Sequence, residues 1–127
     1  MGEVGGERFS SKVCAGAYGG TAYPKPLLFV PCVDGVVALS VDLGAGPSFK
    51  ELWRGPGFGA GPPIVTGGAV WTVDVSGGVL YALSLSDGHV IFKAVIGEVA
   101  HFTTPASGGG RVYVAANDRL LAFALNL

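Results

Sequence analysis

Charge is scarce in this chain: only 13% of its 127 residues are Asp, Glu, Lys or Arg, and the formal net charge is −1. Without a basic stripe or a run of like charge, nothing favours a nucleic-acid partner. Long apolar runs are missing too. Pro31, Asp34, Asp42, Asp74 and Asp87 interrupt every apolar stretch before the roughly 18–20 residues that a spanning helix needs. The opening Met1-Gly2-Glu3-Val4-Gly5-Gly6-Glu7 has neither a basic n-region nor an apolar h-region, so no signal peptide is expected in this chain. Helical periodicity and low-complexity tracts are absent, and Gly108-Gly109-Gly110 reads as a hairpin turn. The two cysteines lack CxxC spacing, and neither histidine has a second one near it in sequence to build a zinc site.

What the chain has instead is glycine, 22 of them, and a half-hydrophobic composition that suits one all-β domain. It also repeats itself. Phe29, Trp71 and Tyr113 follow one another at intervals of 42, each within a short apolar run. Ala38, Ala82 and Ala122 recur 44 and 40 residues apart. A period of this length, built of short strands and glycine turns, is the signature of propeller blades.

Each repeat divides into the same strands. A small-residue inner strand comes first, at Gly19-Gly20-Thr21-Ala22, Gly61-Pro62-Pro63-Ile64-Val65 and Thr103-Thr104-Pro105-Ala106, where crowding at a central channel disfavours bulk. Second strands are expected at Leu27–Val30, Ala69–Val75 and Arg111–Ala115. Turns follow at Asp34-Gly35, Ser76-Gly77-Gly78 and Asn117-Asp118, residue types that accept positive φ. Third strands are expected at Val36–Val41, Val79–Leu85 and Leu120–Leu125, and fourth strands at Lys50–Arg54 and His89–Val95 only.

The fold expected is therefore all-β: a partial β-propeller of about three antiparallel four-stranded blades, the last lacking its outer strand. The repeats span about 19–60, 61–102 and 103–127, after a lead-in over 1–18 that is a candidate closing strand. Blades are stable when neighbours cover their faces, and large apolar patches are rare on monomers. Either further blades or copies of this chain are expected to cover the ends. In the second case the N-terminal strand of one copy completes the last blade of the next.

The run Ala82-Leu83-Ser84-Leu85-Ser86-Asp87-Gly88-His89-Val90-Ile91-Phe92 resembles the repeat of the quinoprotein-like, pyrroloquinoline-quinone-type β-propellers. In that eleven-residue frame Ala82 and Gly88 match, while Ser84, Asp87 and Phe92 stand where Asp, Thr and Trp are usual. Ala38 opens a second copy with Gly44 in register, but Gly46-Pro47-Ser48-Phe49 looks like an insertion that delays Trp53. Ala122 opens a third. The wider arrangement over roughly residues 10–127 is similar to the last blades of actinobacterial members. The resemblance implies the fold and an extracytoplasmic setting; it implies no activity, since many members bind no quinone.

A quinone dehydrogenase of this kind would need a calcium cage of six to eight oxygens and often adjacent cysteines. Asp34, Asp42, Asp74, Asp87, Asn117 and Asp118 are scattered and mostly at hairpin turns, where such residues bond their own backbone. No catalytic residue, cofactor or metal site is assigned. His101 precedes the last inner strand, a position suited to ligand contact at a channel mouth; the alternative has Phe102 packed between blades and His101 bonded to a neighbouring loop. His89, beside a turn, is expected to face solvent. Folding back at Tyr23–Pro26 brings Cys32 opposite about residue 18, close to Cys14. That is compatible with a disulfide between Cys14 and Cys32, and so with an oxidising compartment, or with two buried thiols. Trp53, Trp71, Phe92 and Tyr113 recur at equivalent places, which points to inter-blade packing rather than carbohydrate stacking.

The function that follows is a non-catalytic binding or scaffolding segment, the C-terminal part of a larger ring, whose partner is a protein or copies of itself. The alternatives are a fragment of a quinone-dependent dehydrogenase and a self-assembling mini-propeller.

Overall fold

The computed structural model describes residues 9–44 and 46–125, and among them there are ten strands and no helix. Among the described residues no helix is therefore long and apolar enough to cross a membrane. The first sheet holds β1 (Leu27–Cys32), β2 (Gly35–Asp42) and β3 (Ser48–Arg54) in that order. The second holds β4 (Ile64–Thr66), β5 (Ala69–Asp74), β6 (Val79–Ser84) and β7 (Val90–Val95), and the third holds β8 (Ala106–Gly108), β9 (Arg111–Ala116) and β10 (Arg119–Ala124). Every pairing is antiparallel between sequence neighbours. Hairpins this short leave no room for a crossover.

Only the second sheet has four regular strands. In the first, the expected inner strand at 19–22 is reduced to isolated bridges, Ala17 with Cys32 and Ala22 with Phe29. Tyr18 N–H donates to Pro31 O at 2.8 Å and Phe29 N–H to Ala22 O at 2.9 Å, so three residues, Gly19 to Thr21, face Val30 alone. Gly19 lies at φ +102°, which other residues rarely adopt, and the bulge it forms breaks the ladder. The second inner strand is likewise displaced to Ile64–Thr66, because Pro62 and Pro63 have no N–H to donate.

The insertion before Trp53 is absorbed differently from what the sequence suggested. It lengthens the β2–β3 hairpin, pairing Asp42 with Ser48 at its tip, and Trp53 still arrives opposite Ala38. Phe92 sits opposite Ala82 in the second sheet in the same way.

Two apolar layers join the three sheets. Phe29, Val36, Ala38 and Trp53 of the first meet Ala60, Val70 and Leu83 around the second. Trp71, Val73, Leu80 and Ala82 of the second meet Val112, Val114 and Ala116 of the third. Because β5 is covered on both sides, its successive residues Ala69 to Val73 are all buried and no alternation shows. Thr72, the one buried polar side chain of that strand, donates from Oγ1 to Gly61 O at 2.8 Å and so ties down the proline-interrupted inner segment.

The lead-in lies on the far side of the first sheet. Val13 and Cys14 pack with Val30, Cys32, Val37 and Leu39, and the Phe9 ring lies 4.6 Å from Phe49. Arg54 Nη2 donates to Val13 O at 2.7 Å, and Cys14 is joined to Cys32 by a disulfide. Residues 1–8, which include part of the candidate closing strand, lie outside the described residues.

Candidate functional site

Antiparallel order brings the three β-turns after the second strands to one end of the molecule, together with the connectors over 55–63 and 96–105. There the inner segments converge. Gly59 lies against Tyr18, Gly61 against the Thr103 carbonyl, and Gly19 against Pro62 and Phe102. His101 lies at this convergence, its ring centroid 5.3 Å from that of Tyr18 at a tilt of 42°. It is exposed, and no described residue hydrogen-bonds its side chain. Phe102 is 68% exposed, so it does not pack between blades as the alternative reading expected. The 96–105 connector turns back on itself through Thr103, which bonds Ala100 by both its backbone and its hydroxyl; this lifts Phe102 to the surface.

Beside this point two adjoining clefts of about 310 and 480 Å3 share Glu98 and Val99. One runs along the Ser76–Gly78 turn, the other along Ala115–Asn117. Gly78 at φ +65° lets the Gly97 carbonyl approach where a Cβ would collide, and Asn117 holds φ +53° while its N–H donates to Glu98 O at 2.9 Å.

Three aspartates, Asp42, Asp74 and Asp87, bond within their own turns. Asp74 Oδ1 accepts from Ser76 and Gly77 N–H at 3.1 and 3.0 Å, and Asp42 Oδ1 from Gly44 N–H at 2.9 Å. At the other end of the second sheet, Asp87 Oδ1 accepts from His89 N–H at 3.0 Å and meets His89 Nδ1 at 2.5 Å, both side chains exposed. The His89 backbone N–H, and then its imidazole, hold the Asp87 carboxyl below its ordinary range. Among the described residues no three of His, Cys, Asp and Glu come together as a metal site would need. Chemically, the His101 region offers an imidazole and a phenol face for contact.

The larger exposed feature was not legible as a site. It is the outward side and outer edge of the third sheet. Leu120 corresponds to Val36 and Leu80 of the first two sheets, both fully buried, yet it is 73% exposed. Strand β9 shows the alternation of a one-sided strand, and β10 has no outer neighbour among the described residues. The advance signal was that fourth strands were expected in the first two repeats only.

No protein-family profile and no curated protein sequence matches the chain. Solved structures do resemble it in fold. One is the glutaminyl cyclase of Myxococcus xanthus, at TM-score 0.55 and 14% identity over 83% of this chain. Another is BamB from Moraxella catarrhalis, at TM-score 0.52 and 12% identity over 86%. Both are β-propellers, and with three stacked antiparallel sheets the chain has the architecture of a partial β-propeller. It spans about half the length of each, 47% in both cases.

Proposed function

We propose that this chain is a non-catalytic segment of a quinoprotein-like β-propeller that acts as a binding or scaffolding module within a larger ring. The blades are taken as 19–60, 61–102 and 103–127. The observation that carries the reading is the third sheet, which turns outward the residue pattern that the first two bury. A surface of that kind is built to be covered, and its chemistry is that of an interface rather than of a reaction. The Cys14–Cys32 bond supports an oxidising, extracytoplasmic setting. His101 beside Tyr18 is a secondary contact point for a ligand at the convergence of the inner segments.

Fold alone does not separate this from the enzymatic alternative, since one of the similar structures is a glutaminyl cyclase. Calorimetric titration of the chain with pyrroloquinoline quinone, with and without calcium, does. The expected outcome is no binding in the micromolar range under either condition. Calcium-dependent binding would overturn the reading in favour of a quinone-dependent dehydrogenase.

A further inference from the structure

Tyr18 brings the first inner segment against the other two. Its ring edge would lie 3.3 Å from a Cβ at Gly59, and the ring stands beside His101. The next residue, Gly19, fits against Pro62 and Phe102. The backbone that holds Tyr18 there is lightly bonded. Gly16 O accepts from Val33 N–H at 2.9 Å, and Tyr18 N–H donates to Pro31 O at 2.8 Å. Pro31 has no N–H to return the bond. Beyond Tyr18 the bulge at Gly19 to Thr21 interrupts the ladder until Ala22 meets Phe29.

The second sheet anchors the same place differently. Val75 N–H donates to Gly59 O at 2.9 Å and Gly61 N–H to Val73 O at 2.8 Å, and the Thr72 hydroxyl adds a third bond, to Gly61 O. Val30 follows Phe29 as Thr72 follows Trp71, and it has no hydroxyl to offer. In place of that bond the first sheet has a covalent one. Cys14, just before Gly16, is joined to Cys32, the residue that bridges Ala17. The contacts of Phe9 with Phe49 and of Val13 O with Arg54 lie upstream of Cys14 and do not reach Tyr18.

We propose that the Cys14–Cys32 bond assembles the His101 contact point, which is present in the oxidised chain and lost from the reduced one. Cys14 and Cys32 are then positioning residues that act through Tyr18. The site forms by thiol–disulfide exchange with a disulfide oxidant. The two thiols give up two protons and two electrons as their S–S bond forms, and the oxidant's S–S bond breaks to leave two thiols. In the reverse direction a dithiol reductant attacks Cys14 Sγ, the less buried of the two, and Cys32 leaves as the thiolate. With the bond open, residues 15–21 are held by two hydrogen bonds in a largely exposed position, and such segments open locally. Tyr18 then withdraws from His101.

This control rests on the reading of His101 as a ligand contact, yet its test needs no ligand. The chain has two histidines, so the ring signals of His101 can be followed by NMR with His89 as internal reference. In the oxidised chain a nuclear Overhauser contact is expected between the Tyr18 and His101 rings, whose centroids are 5.3 Å apart. A ring-current shift of His101 should accompany it and disappear in Tyr18→Ala. Reduction with dithiothreitol at constant pH should abolish the contact and move His101 to its Tyr18→Ala position. His89 and the amides of β5 and β6 should stay in place, and reoxidation should restore the contact. The double variant Cys14→Ser, Cys32→Ser should match the reduced chain.

Three results would overturn the proposal. One is no Tyr18–His101 contact in the oxidised chain, and another is a contact that survives reduction. The third is loss of the β5 and β6 amide signals together with the contact, since the bond would then hold the whole fold rather than this site. Each of these leaves His101 able to meet a ligand without redox control and leaves the quinone titration untouched, so the two readings fall separately.

Discussion

The second and third sheets are written in nearly the same side chains and end in opposite situations. In β5 and β6, Trp71, Val73, Leu80 and Ala82 are fully buried, pressed against the third sheet. Their counterparts in β9 and β10 are Tyr113, Ala115, Leu120 and Ala122, and all but the half-buried Tyr113 are exposed. The inner side of the third sheet, with Val112, Val114 and Ala116, is as tightly packed as anything in the molecule. A blade's two faces are therefore not equivalent here: one has its cover, and the other carries the pattern for one. The first sheet shows a third solution, in which the lead-in itself closes the free side under a disulfide.

The sharpest way to break this contrast is to delete the paired aromatics. Trp71→Ala removes a fully buried side chain and should cost about 3–5 kcal/mol of unfolding free energy. Tyr113→Ala removes a ring with no second sheet over it and should cost less than about 1.5 kcal/mol. Denaturant titrations of the two variants give both numbers. Equal costs would mean that the outward side of the third sheet is already covered.

A smaller effect is expected at the capped end. Replacing Cys14 and Cys32 together by Ala opens a loop of sequence separation 18, and should cost about 3 kcal/mol if the cross-link acts chiefly on the unfolded chain. The loss should vanish when the parent chain is measured fully reduced. A double variant as stable as the oxidised parent would show that Phe9, Val13 and the Arg54 bond hold the lead-in without the cross-link.

The hairpins were legible in the sequence because each signal was local. Alternating or continuous apolar runs flank Asp34-Gly35, Ser76-Gly78 and Asn117-Asp118, and such turns set register by themselves. The inner segments were less so. Small residues and prolines carry no alternation, so the bulge at Gly19–Thr21 and the displacement past Pro62-Pro63 left no trace in pattern. Trp53 looked misplaced since sequence spacing counts residues, whereas the sheet counts pairs, and a longer hairpin restores the pairing with Ala38.

At the candidate site, Phe102 was misread as packed. Nothing in its neighbours announces that Thr103 folds the connector back on Ala100. The open edge of β10 matched only the expectation of fourth strands in the first two repeats alone.

The central claim is that β10 is an open edge while β6, its counterpart, is a closed interior strand. Residue-resolved amide hydrogen exchange on the native chain measures that directly. Amides of β6 are bonded within a four-stranded sheet and should exchange near the global unfolding limit. The amides of β10 that point away from β9 should exchange roughly a hundred-fold faster or more, since they have no ladder partner. Matching protection in the two strands would contradict the account, for it would place a strand along β10 in the isolated chain.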